Sequence, residues 1–122
     1  MKDETVITGN RADDDGKALV WVYGDRPLPY PLPHVVHHSP TGFEWGYGGS
    51  GPSDLALSIL SFVIGPEQET VGVYEGKRCG ARAWDLHHTF KLEFCAGWGD
   101  GWSITVGEVR RWIAAQDAAP EA

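Results

Sequence analysis

A chain of 122 residues is long enough for one domain with a substantial core and too short for two. Its composition, 42% hydrophobic and 22% charged, is ordinary for a globular protein and excludes wholesale disorder. A net charge of −7, from ten basic and seventeen acidic residues, excludes the broad basic patch that direct nucleic-acid binding requires.

The local basic groups, Lys77-Arg78 with Arg82 and Arg110-Arg111, read as solvated faces. No apolar run approaches the roughly 20 residues of a membrane span, and Lys2-Asp3-Glu4 leads into no signal-peptide core. A cytoplasmic location is the expectation, with Cys79 and Cys95 as reduced thiols.

Thr5-Val6-Ile7-Thr8 and Ala18-Leu19-Val20-Trp21-Val22-Tyr23 are rich in β-branched and aromatic residues and predict two strands. Asp13-Asp14-Asp15-Gly16-Lys17 between them has turn chemistry. Gly24-Asp25 closes a second turn. Pro27, Pro29, Pro31 and Pro33 then keep the returning segment out of any central strand, so it becomes an extended edge or a polyproline-like crossing.

The most unusual stretch runs from Ser39 to Pro52, with glycine at 42, 46, 48, 49 and 51. It enters a helix over residues 53–64. Ser50 or Gly51 can cap that helix, Pro52 suits its first turn, and Gly65-Pro66 ends it. Asp54, Ser58 and Ser61 form one narrow polar stripe on an otherwise apolar helix, so most of it is expected to be buried. Residues 67–82 read as a loop with a short strand at Val71–Val73. Residues 83–97 carry two patterns: Leu86, Phe90 and Phe94 recur at helical spacing, while Phe90, Leu92 and Phe94 also alternate as in a strand. The fifteen-residue length favours helix. Gly97 to Gly101 is a turn, and Trp102-Ser103-Ile104 is extended. Thr105 and Glu108 match a capping box, with Ile104 and Val109 as its staple. That box opens a helix over 106–116 that buries Val109, Trp112 and Ile113. Residues 117–122 read as a frayed tail.

The fold class is therefore α+β: one domain over 1–122, core about 5–116, with a small N-terminal antiparallel hairpin or sheet packed by three helices.

The segment Ser39-Pro40-Thr41-Gly42-Phe43-Glu44-Trp45-Gly46-Tyr47-Gly48-Gly49-Ser50-Gly51-Pro52, followed by Leu55-Ala56-Leu57-Ser58-Ile59-Leu60, resembles domain of unknown function 6166. Members of that family occur in bacteria and on phages and plasmids. The Gly24 to Leu28 turn and the Trp102 to Trp112 ending are similar to it too. Glu75 to Arg82 is longer than the family's usual link between the helices. The resemblance implies a small stand-alone accessory protein of mobile elements and brings no catalytic residue with it.

Phe43, Trp45 and Tyr47 alternate, so one side of an extended segment could present all three rings. With Glu44 they are the candidate partner-binding residues, on a backbone of Gly46, Gly48, Gly49, Ser50 and Gly51. The same loop lacks the Lys and the spacing of a phosphate-binding loop. Ser50 lacks the second glycine of a nucleophile elbow, because Pro52 stands there. His34, His37, His38, His87 and His88 show no ligand set of recognisable spacing, so no metal and no cofactor is expected. The favoured function is non-enzymatic binding of a protein partner, with neither nucleic acid nor membrane engaged. Family context and acidity extend this to blocking a host defence component. The alternative is a small-ligand or hydrolytic domain built from the loop, Glu44, Asp54 and a histidine. Convergent polar groups in a concavity would favour the alternative, and an exposed aromatic patch the first reading.

Overall fold

A computed structural model describes residues 1–11 and 16–118. The strands are β1 (Val6–Arg11), β2 (Ala18–Tyr23), β3 (Tyr30–Pro31), β4 (Val71–Tyr74), β5 (Lys77–Gly80) and β6 (Trp102–Thr105). The helices are α1 (Ser50–Ile64), α2 (Ala81–Glu93) and α3 (Val106–Ala118), with one 3-10 turn at Cys95–Gly97. The expected α+β architecture is present: a four-stranded antiparallel sheet in the order β3-β2-β1-β6, a separate β4-β5 hairpin, and three helices.

Alternation sets the face of the sheet that packs inward. Ile7 lies opposite Val22 on one side and Ile104 on the other, and all three are buried. The proline-rich return contributes only Tyr30 and Pro31, as a two-residue edge strand against β2. Asp13 to Asp15 of the first expected turn lie outside the described residues; Gly16 takes the positive φ of 68° that a turn residue needs.

Strand β1 runs three residues further than its β-branched run, through Gly9, Asn10 and Arg11. Gly9 sits there because Trp102 on the neighbouring strand lies across it. A Cβ at position 9 would come 2.2 Å from the indole. Trp102 in turn stacks on Trp98 at 3.9 Å and meets Trp45 edge-on at 5.5 Å.

Helix α1 is the centre of the core. Every residue from Gly51 to Leu60 is buried, as its all-round apolar sequence requires. It begins earlier than expected, with Gly49 as N-cap and no side chain bonded there, and ends at Gly65 with φ 77°. Helix α2 resolves the two patterns of residues 83–97 in favour of helix, burying Ala83, His87 and Phe90. Its first N–H groups are satisfied from a distance: the Glu69 carboxylate accepts from Arg82 N at 2.8 Å and Ala83 N at 3.2 Å.

The β4-β5 hairpin lies where a loop with one strand was expected. Glu75 and Gly76 join its arms with φ of 50° and 80°, the two positive values of a type I′ turn. Cys79 and Cys95 are free thiols, both buried, and burial pushes both thiol pKa values up.

The capping box at the last helix is present in both directions. Glu108 N donates to Thr105 Oγ1 at 3.0 Å, and Thr105 N donates to Glu108 Oε1 at 3.2 Å. Trp112 is only half-buried, while Val109 and Ile113 are buried. Helix α3 continues through Asp117 and Ala118, two residues into the expected tail; residues 119–122 lie outside the described residues. Thr105→Ala should lower stability by about 0.5–2 kcal/mol in denaturant melts, the usual cost of losing an N-cap side chain.

Candidate functional site

The glycine-rich loop is pinned at its centre. Trp45 is 1% exposed, and its Nε1–H donates to the Gly99 carbonyl at 2.7 Å. Gly46 N donates to the Cys95 carbonyl at 2.8 Å. Gly46 has φ 86°, a left-handed value that favours glycine, and a Cβ there would also crowd the Trp98 carbonyl at 3.2 Å. Arg11 clamps the loop from β1: Nη1 bonds Glu44 Oε1 at 2.8 Å, Nη2 donates to the Trp45 carbonyl at 3.3 Å, and the guanidinium lies 4.7 Å from the Trp45 ring centroid. Gly51 lets Glu44 pass, since a Cβ at 51 would come 2.5 Å from the Glu44 Cβ.

The three alternating rings do not share one exposed side. Trp45 goes into the core and Phe43 is half-buried, 4.5 Å from the His34 ring, while Tyr47 is 51% exposed. The left-handed turn at Gly46 breaks the extended geometry that a common side would require. Of the loop glycines, Gly49 carries the Tyr47 ring close against it; a Cβ there would come 2.4 Å from Tyr47 Cε2. Ser50 opens the helix, and Gly48 is exposed. Beside the loop, Trp21, Pro31, Phe43, Glu44 and Tyr47 line a surface groove of about 400 Å³.

A second constellation surrounds Asp54, at the end of the polar stripe of α1. Asp54 and Ser58 are fully buried and face residues 34–39 rather than solvent. The Asp54 carboxylate accepts backbone N–H bonds from His38 at 2.7 Å, Ser39 at 2.9 Å and His37 at 3.2 Å. His34 Nε2 adds a fourth donor at 2.8 Å, and Val35 N donates to Ser58 Oγ at 2.9 Å. Burial works against the Asp54 charge, but the Ser39, His34, His38 and His37 bonds outweigh it and hold this carboxyl below its ordinary range.

Asp54 thereby sets down a row of imidazoles. His37 Nε2 donates to the Tyr74 carbonyl at 2.9 Å, and His87 Nδ1 donates to the Trp84 carbonyl at 2.5 Å. His38 Nε2 and His87 Nε2 lie 3.2 Å apart. Trp84 packs on His37 at 4.6 Å and on Tyr74 at 5.0 Å between ring centroids. Desolvation drives the His87 pKa down to about 4, and desolvation also lowers that of His38. His87 is therefore neutral at pH 7. Its Nδ1 holds its one proton against Trp84, so its Nε2 is an acceptor and His38 Nε2–H is the donor.

The residues proposed from sequence for acid–base work thus have structural partners: Glu44 bonds Arg11, and Asp54 anchors four donors. The imidazole row escaped sequence reasoning because its members lie about fifty residues apart on different elements; the polar stripe of α1 was the only signal toward it.

No helix among the described residues is long and apolar enough to cross a membrane. No curated protein and no solved structure matches the chain. One family model does, over residues 7–115, nearly the whole of the described domain. The chain belongs to the family of unknown function DUF6166.

Proposed function

We propose that this chain is a protein-binding module whose contact surface is the groove beside the glycine-rich loop, with Tyr47 in its lining as the anchor. The observation that carries the reading is the pairing of an exposed ring with a fixed backbone. Tyr47 is half exposed, yet the residues before it are held by Trp45 in the core and by the Gly46 bond to Cys95. A ring presented this way loses little conformational freedom on binding, which is the property of interface anchors. Trp21 and Phe43 extend the apolar lining around it. The biological setting we place it in is that of a phage- or plasmid-encoded accessory protein that binds and blocks a host component. The net charge of −7 favours a partner with a basic or neutral contact face.

The test compares tagged wild type, Tyr47→Ala and Leu92→Ala in pull-downs from a bacterial host lysate, with melts of each. Leu92 is exposed on α2 and is not among the groove residues. Loss of an interface anchor costs about 2 kcal/mol or more, roughly thirtyfold in affinity. Tyr47→Ala should lose the specific partner while melting as wild type does, and Leu92→Ala should keep it. Equal recovery by all three proteins would refute the groove as the contact surface.

A further inference from the structure

We propose that His37, His38 and Glu75 form a binding site for one divalent transition-metal ion, zinc foremost, held by two imidazole nitrogens and one carboxylate. Each of the three residues offers a ligand atom, and these atoms lie within 4.8 Å of one another. Zinc holds N and O ligands at about 2.0–2.2 Å, so a shared tetrahedral ion needs them about 3.4 Å apart. Glu75 is exposed at a hairpin turn, so its carboxylate is the ligand that must turn toward the two held imidazoles.

Each imidazole has one ring nitrogen turned toward a protein partner and a second left for a ligand. His37 is 5% exposed. Its Nε2–H is taken by the Tyr74 carbonyl, and its Nδ1 is buried without a partner among the described residues. A bare buried lone pair is costly, and few groups other than a cation or a donor would satisfy it. His38 is fixed by a relay: its Nε2 lies 3.2 Å from His87 Nε2, and His87 is itself turned by the Nδ1 bond to the Trp84 carbonyl, so the Nδ1 of His38 is the nitrogen left for a ligand. Both rings are thus held through one nitrogen, His37 by the Tyr74 carbonyl and His38 by His87, the arrangement that orients metal-ligating imidazoles. Their backbones are held as well, since both N–H groups bond the Asp54 carboxylate. Lys77, the nearby cation, is engaged by the His37 carbonyl at 3.0 Å.

Two nitrogens and one carboxylate suit zinc and its first-row neighbours rather than calcium or magnesium, which take oxygen ligands. Three protein ligands leave a coordination position open, as in zinc sites that bind or activate a further molecule. The short reach between His37, His38 and Glu75 depends on the β4-β5 hairpin, which brings its turn beside residues 34–39.

The experiment is calorimetric titration of the full chain, cleared of metal by a chelator, with zinc chloride alone. Wild type should bind one zinc per chain. Glu75→Gln and His38→Gln should each weaken binding by about a hundredfold or more, beyond the roughly 10–100-fold cost of losing an outer-shell partner. His88→Ala and Leu92→Ala should bind as wild type. Glu75→Gln changes an exposed turn residue, so its melt in the absence of metal should match wild type and separate ligand loss from misfolding. Absence of saturable one-to-one binding, or weakening confined to one of the two ligand variants, would overturn the three-ligand site.

Discussion

Asp54→Asn should destabilise the protein by about 3–5 kcal/mol in urea melts, as breaking a buried, fully bonded charge does. Both carboxylate oxygens are in use, by three successive backbone N–H groups and by His34. An amide supplies one acceptor where two are needed and turns its own N–H2 toward donors. The loss should be pH-dependent in a defined direction. The native carboxyl is held below its ordinary value of 3.8, so the unfolded chain binds the proton more readily. Asp54 then contributes fully above the unfolded value, and the contribution is lost as pH falls through the lower native one. The gap between wild type and Asp54→Asn should therefore narrow below about pH 4. A variant that melts as wild type at pH 7 would show that residues 34–39 are held by something other than this carboxylate.

The elements that the sequence revealed are those whose local pattern agrees with their environment. Helix α1 is apolar on nearly every side and is buried on nearly every side. The prolines after β2 confine β3 to a two-residue edge, and the Thr105–Glu108 box is made as written. The β4-β5 hairpin was half-hidden because Lys77-Arg78-Cys79-Gly80 has no alternation to betray a strand, and because Glu75 occupies a turn position where Asn, Asp or Gly is usual. The end of β1 was hidden for a different reason. Gly9 looks like punctuation, but it makes room for a tryptophan more than ninety residues away in the chain.

The candidate sites follow the same division. Sequence located the glycine-rich loop but not the direction of its rings, because that depends on one left-handed residue, Gly46. The histidines could be counted but not assembled. Asp54 gathers the 34–39 segment, the hairpin turn supplies Glu75, and α2 supplies His87, so the cluster exists only after three separate packing events. Local spacing carries no trace of such convergence.

Trp45→Ala should cost about 3–5 kcal/mol of folding stability, the loss seen when a fully buried aromatic is truncated. The indole is the bolt between the loop and the far end of the sheet. Its removal would vacate the space beside Trp102, strip the Gly99 carbonyl of its donor and leave Arg11 without the ring beneath its guanidinium. Trp45→Phe should cost less, because it keeps most of the ring and forfeits chiefly the hydrogen bond, a net term of about 1 kcal/mol. Tyr47→Ala supplies the contrast within two residues of chain. Its ring is half in solvent, so its melt should stay close to wild type, as substitutions at the surface do. One set of denaturant melts therefore reads the division of labour along the loop: Trp45 fixes the backbone, and Tyr47 is presented by it. Near-equal losses at Trp45 and Tyr47 would mean that both rings serve the core, and the loop would then be scaffold from end to end.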